Sequence, residues 1–198
     1  MDDPTLHIII VNWNVRDLLA NCLDSIVSQG TLQDDGFVTL DDGSSVKVTV
    51  VDNHSSDDSV ALLERNYGWV DLVKSNTNLG FTRGNNLALE QSRGEYIMLL
   101  NPDTRLEAGA LRIMLDYARA HSDVAVIGPK LLYGDGSLQS SRRRFPTLTT
   151  ALFESTLLES WFPNNRWARA YRLADTDDDA TQDVDWVNGA CMLLKKRL

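Results

Sequence analysis

"LHIIIVNWN", residues Leu6 to Asn14, is a continuous apolar run, β-branched at its centre, that closes on two amides around a tryptophan. A strand with one wet face alternates apolar and polar residues, whereas an unbroken run of this length fits a strand covered on both faces. A central strand of a parallel sheet is the reading, and the following segments agree with it. "VRDLLANCLDSIVSQ" places Leu18, Leu19, Cys22, Leu23, Ile26 and Val27 at helical spacing. "VKVTVVDN" is a second strand, and Ser55 or Ser56 followed by Asp57 and Asp58 reads as the cap of a helix through "SVALLERNY". "VDLVKS", a helix from Thr82 to Ser92, "EYIMLLN", a helix from Ala108 to Ala120, and "VAVIG" continue the alternation. Strand and helix in turn predict an α/β fold with right-handed crossovers.

Two segments depart from this rhythm. In residues 31–45 "FVTL" is flanked by Asp-Gly turn signals and could form a short hairpin, but a solvated loop is the expectation. From "KLLYGDGSLQSSRRRFPT" onward the sequence predicts a hairpin about Gly134 to Gly136, an amphipathic helix from Leu148 to Glu159, an acidic loop, and a strand in "VDWVNGACMLLKK".

With 198 residues, 43% hydrophobic and 24% charged, the chain has the composition of a soluble globular protein. No apolar run approaches the roughly 18 residues of a membrane span, and the acidic start "MDDPTLH" is not a secretory signal. The cytoplasm is the expected compartment. Contact with the inner face of the cell membrane stays open, because a membrane-surface helix near Leu152 to Leu158 would look identical to a core-facing one. Cys22 and Cys191 have no metal-ligand spacing and read as buried thiols. The net charge of -9 argues against nucleic acid. Ten acids are concentrated in two segments, Asp34 to Asp42 and Asp175 to Asp185; setting them aside leaves 18 against 19 Lys and Arg, so an anionic ligand remains compatible.

In an open α/β sheet ligands bind beyond the carboxyl ends of the strands. There the sequence places Asn12 and Asn14 after the first strand, Asp52 and Asn53 after the second, Ser75, Asn76 and Asn78 after the third, and Asn101 and Asp103 after the fourth. Each residue alone could be a cap or an Asx turn, but together they form an edge rich in carbonyl and carboxylate oxygens. Asp52 can accept a pyrimidine N–H or a ribose hydroxyl. Arg83 falls in the first turn of a helix, where it opposes the dipole and so favours a bound anion. In "LLNPDT" Pro102 keeps Asn101 extended, and an amide with a carboxylate at this spacing can meet both a ribose and a divalent cation.

"IIIVNWN", "VVDNHSSDDS", "NLGFTRGNN", "YIMLLNPDT" and "WVNGACMLLKK" resemble, in order and spacing, the motifs of the inverting family 2 glycosyltransferases. The resemblance spans nearly the whole chain and implies the GT-A fold, a mostly parallel Rossmann-like sheet flanked by helices with a mixed C-terminal part. It implies one domain over residues 1–198, with a nucleotide-sugar half at 1–130 and a partial acceptor half at 131–198. "GDGSLQSSRRRFPT" looks like the rhamnosyltransferase-type members, which build cell-surface polysaccharides. By this resemblance Asp52 contacts the base, Arg83 lies near base or diphosphate, and "NPD" takes the D-x-D position, with Asp103 as ligand to Mg2+ or Mn2+. The donor is a dTDP- or UDP-sugar, and the acceptor a saccharide or lipid-linked saccharide.

The cation offsets charge on the departing nucleoside diphosphate, while a carboxylate base takes the proton of the attacking acceptor hydroxyl. Family members carry that base after the W-x-x-G-A segment. Here no acid matches it before Leu198, so a truncated chain is the expectation, with a nucleotide-sugar binding module without turnover as the alternative. Asn101 stands where many relatives have Asp, which weakens cation binding. Arg142, Arg143 and Arg144 read either as a solvated turn or as contacts to an anionic acceptor. Trp186 and Gly189 would line the acceptor side, although a core position suits Trp186 equally.

Overall fold

The computed structural model describes residues 3–150, 156 and 165–196. These residues form two compact units, Met1–Ile127 with Gly189–Leu198, and Gly128–Asn188. The contact boundary lies close to residue 130, but the segment from Gly189 belongs with the first unit rather than with the second.

The first unit is built on β1 (Leu6–Asn12), every residue of which is buried. β1 pairs in parallel with β4 (Ser45–Asp52) on one side and β6 (Tyr96–Leu100) on the other. Its alternate side chains feed two cores. Leu6, Ile8 and Ile10 pack with Leu19, Cys22, Leu23 and Ile26 of α1 (Arg16–Val27) and with Leu111, Met114 and Leu115 of α4 (Ala110–Ala120). Ile9 and Val11 face the opposite way, toward Ala88 of α3 (Gly80–Leu89). The expected doubly covered strand is therefore present, and its period of two assigns each layer. β5 (Asp71–Lys74) extends the parallel set beside β4 after α2 (Ser59–Asn66).

Three features differ from the sequence expectation. Residues 31–45 are not a solvated loop: β2 (Thr31–Leu32) and β3 (Val38–Thr39) form a hairpin that adds antiparallel to the start of β4. Val38 and Leu40 are buried, so two apolar side chains anchor an otherwise polar segment. At the opposite edge, β7 (Val126–Ile127) does not continue the parallel set but pairs antiparallel with β12 (Cys191–Lys195), which runs antiparallel along β6. Among the described residues the sheet has eight strands. Finally, α2 carries no serine cap: Asp58 stands at its start in the left-handed region (φ 63°) with no side-chain cap bond.

The second unit holds the expected hairpin, β8 (Leu131–Leu132) with β9 (Leu138–Gln139), together with β10 (Arg142–Arg143) paired to β11 (Trp186–Val187) and the short α5 (Arg166–Tyr171). Residues 148–150 are helical, and most of the helix expected as far as Glu159 lies outside the described residues.

Both cysteines are buried free thiols, and burial pushes each up to about 12. A thiol that high is almost wholly protonated at neutral pH and shielded from attack. A disulfide reagent at pH 8 should therefore label neither thiol in the folded protein and both in denaturant. Gly84 sits so close to β1 that an added Cβ would lie 2.8 Å from Val11 Cγ1, a short branched side chain with no room to move. Gly84→Ala should cost about 1–3 kcal/mol through overpacking, read as a lower midpoint in urea. Gly68→Ala, where a Cβ meets open space, should stay within about 0.5 kcal/mol of the parent.

Candidate functional site

The site begins where the three central strands end. The register sets Asn12 beside Asp52 and Ile10 beside Leu100, so the polar residues following β1, β4 and β6 emerge at one edge. Asn12 and Asp52 are both buried, where an unpaired polar group is costly, and they bond each other. Asn12 Nδ2 donates to Asp52 Oδ1 at 3.0 Å and to Ser55 Oγ at 3.1 Å, while Ser55 N donates to Asp52 Oδ2 at 3.0 Å. Ser55 Oγ also accepts from Asn14 N, and Asn14 Oδ1 accepts from Ser56 N at 2.7 Å, with Asn14 itself left-handed (φ 54°). The two loops are thereby laced together at the sheet edge. The serines expected to cap α2 serve this knot instead. Asp57 takes over at the helix start, accepting from Ser59 Oγ at 2.5 Å and from Arg16 N at 2.8 Å. Burial opposes ionisation of Asp57, but the donors from Ser59 and Arg16 outweigh it and hold the carboxyl below the usual range.

Asn53 has its amide fully committed: Nδ2 donates to Asn78 Oδ1 and Gly80 O, and Oδ1 accepts from Leu79 N at 2.7 Å. It builds the turn that starts α3 rather than offering a free group. That turn carries Arg83 in the first helical turn, exposed and with no ion pair among the described residues. Gly84, packed on Val11, brings the start of α3 against the end of β1.

Past β6, Asn101 N donates to Ala190 O at 2.8 Å, and Asn101 O accepts from Thr104 N and Oγ1. The Ala190 carbonyl of "WVNGA" thus fastens the "NPD" turn, a role that sequence reasoning missed because a carbonyl leaves no residue signature. Asn101 Oδ1 is covered and has no hydrogen-bond partner, as is Asn12 Oδ1. Asp103 is exposed, with no bonded partner among the described residues. No group of three His, Cys, Asp or Glu that could hold a metal occurs among the described residues. The donor set that the turn offers, one open carboxylate and one unpartnered amide oxygen, is of the hard-oxygen type that suits a cation completing its shell with diphosphate and water. Asp52, held by one donor on each oxygen, keeps acceptor capacity but stands on a different strand end from this turn.

Of the residues expected on the acceptor side, Arg142 to Arg144 and Trp186 lie in the second unit, whereas Gly189 opens the return to the first. Arg142 is ion-paired with Asp178 and also donates to Asp177 O. Arg143 stacks near Tyr171 and Trp186. Arg144 gives its backbone N–H to Tyr171 O.

A mixed α/β sheet, parallel at its core and antiparallel at its edges, with an acidic and amide-rich carboxyl edge, defines the class of protein. The model of the family "Glycosyl transferase family 2" matches residues 7–173, and the chain belongs to this family. It is 28% identical over 162 residues to an N-acetylglucosaminyl-diphospho-decaprenol L-rhamnosyltransferase of Mycobacterium tuberculosis, covering 76% of this chain and 52% of that protein. The chain thus spans about half the length of that relative. Among solved structures, S. aureus TarS 1-349 in complex with UDP-GlcNAc matches with a TM-score of 0.54 at 21% identity, over 76% of this chain and 47% of that one. The mannosyltransferase PcManGT from Pyrobaculum calidifontis, in complex with GDP-Man and Mn2+, matches with a TM-score of 0.51 at 20% identity, over 67% and 37%. These likenesses establish the GT-A fold.

The knot predicts its own energetics. Asn12→Ala leaves Asp52 Oδ1 buried without that donor and should lower stability by about 1–3 kcal/mol, seen as a fall in the urea midpoint at unchanged slope.

Proposed function

We propose that this chain transfers a sugar, with rhamnose as the candidate, from a dTDP- or UDP-sugar to a saccharide or lipid-linked saccharide acceptor, with inversion at the anomeric carbon. The observation that carries this reading is the sheet edge itself: a buried Asp52 oriented by Asn12 and Ser55, with an unpaired Arg83 and an unpaired Asp103 on the adjoining segments. The nature of the relatives supports it, since the rhamnosyltransferase named above is called after a diphospho-decaprenol acceptor and the TarS complex holds a UDP-sugar.

In this reading residues 1–130 serve the donor and residues 131–198 the acceptor. Asp52, pinned at both oxygens, presents a fixed acceptor to the base or ribose. Arg83 gives a guanidinium fork to a phosphate oxygen at a helix start, where the helix dipole already favours anions. Asp103, with Asn101 beside it, would hold Mg2+ or Mn2+, which supplies charge neutralisation to the departing nucleoside diphosphate. The acceptor hydroxyl attacks from the opposite face and loses its proton to a carboxylate base. Acids of the 175–185 segment are engaged elsewhere: Asp175 with Arg169, Asp178 with Arg142, Asp179 with Lys130, and Asp185 with Phe145 N. No described helix is long and apolar enough to cross a membrane. In this reading the chain works in the cytoplasm and meets a lipid-linked acceptor at the inner membrane face.

Calorimetric titration with dTDP and UDP, with and without Mn2+, tests the assignment. Binding of at least one nucleotide is expected, tightened by Mn2+. Asp52→Ala should abolish it, Arg83→Gln should weaken it about tenfold, and Asp103→Ala should remove the Mn2+ enhancement alone. Failure of both nucleotides to bind the folded chain overturns the reading.

A further inference from the structure

The three consecutive arginines are not equivalent. β10 is a strand, so Arg142 and Arg143 point to opposite faces. Arg142 is neutralised by Asp178, and two other acids of the same loop are spent on Lys130 and Arg169. Arg143 has no ion pair among the described residues. Its Nη1 donates to Ser140 Oγ at 2.6 Å and to Arg142 O at 2.8 Å, which fixes the guanidinium and leaves Nη2 and Nε with no bond among the described residues. The guanidinium carbon lies 5.8 Å from the centre of the Tyr171 ring and 6.0 Å from that of Trp186. The indole is itself held, because Trp186 Nε1 donates to Arg144 O at 3.1 Å.

These groups line a pocket of about 430 Å³ with Tyr133, Ser140 and Arg172. Among the described residues no carboxylate lines it, and Arg143 supplies a cation. Tyr133 is 55% exposed and Trp186 41%, so large ring faces stay open to the pocket while Tyr171 beneath is buried. A fixed guanidinium beside open aromatic faces suits a ligand that carries both an anion and a ring with apolar C–H faces. A purely anionic ligand would leave the rings idle, and a neutral sugar would leave Arg143 uncompensated.

We infer that this pocket binds a saccharide phosphate ester, the phosphate on Arg143 and the sugar ring against Trp186 and Tyr133. This deepens the acceptor reading proposed above and rests on it: of the arginine run, Arg143 is the anion contact, while Arg142 is structural. Arg143 and Trp186 are cross-strand partners in β10 and β11, so the two halves of the site are placed by one register.

Calorimetry with glucose 1-phosphate, methyl glucoside and inorganic phosphate tests the site on the whole chain. Glucose 1-phosphate should bind at least about tenfold more tightly than either of the others. Arg143→Gln should weaken it about tenfold and leave UDP binding unchanged, whereas Asp52→Ala should do the reverse. The two readings therefore fail separately. Arg143→Lys keeps the charge and the stem but not the fork, and should fall between parent and Gln variant even if the latter is destabilised. Displacement of glucose 1-phosphate by phosphatidylcholine vesicles carrying a polyprenyl-diphosphate saccharide identifies the lipid-linked ester as the source. Failure to displace identifies the soluble ester, and both results uphold the pocket. Glucose 1-phosphate that does not bind, or whose affinity ignores Arg143 and follows Asp52, overturns it.

Discussion

The burial of β1 on both faces is the constraint on which the rest of the first unit depends. Seven consecutive buried residues satisfy their backbone groups through ladders on both sides, here with β4 and β6. A ladder with a fixed register carries the sequence past the strand ends in step. Asn12 therefore arrives beside Asp52, and their burial obliges them to bond each other. The rigidity of the candidate site is thus a by-product of core packing, not of loop chemistry. Gly84 shows the same dependence from the helix side, since the approach of α3 is set by the width of Val11.

The second unit is held differently. Its strands are two residues long, and its contacts are ion pairs, guanidinium stacking and short turns. Exposed ion pairs contribute little singly, about 0–1 kcal/mol. What they accomplish here is selection: by pairing Asp175, Asp178 and Asp179 with Arg169, Arg142 and Lys130, they take up three acids of this loop, while Arg143 carries no ion pair among the described residues. The acidic composition of this region is thereby compatible with binding an anion.

Legibility in the sequence followed apolar content. β1, β4, β6 and α4 are long or strongly patterned, and each was readable because burying the pattern dominates the local energetics. The β2–β3 hairpin was not, since two buried side chains, Val38 and Leu40, had to outweigh a run of Asp and Gly that favours solvent. Polar residues were harder to assign. Ser55 and Ser56 have the composition of helix caps, and nothing local distinguishes a cap from a bridge to Asn12 and Asn14, forty positions away in the chain. Asn53 was placed at the right edge, but its amide is consumed by the turn before α3.

What the sequence alone determined is the α/β class, the family motifs, and the level at which Asn12, Asp52, Arg83, Asn101 and Asp103 stand, because apolar runs and their ends are local properties of the chain. Tertiary structure decided which of those groups remain available. Asp52 is oriented by one donor on each oxygen and Arg142 is neutralised, whereas Asp103, Arg83 and Arg143 carry no ion pair among the described residues. Availability depends on partners distant in sequence. Those partners meet only when burial of β1 and the pairing of β10 with β11 bring them within bonding distance.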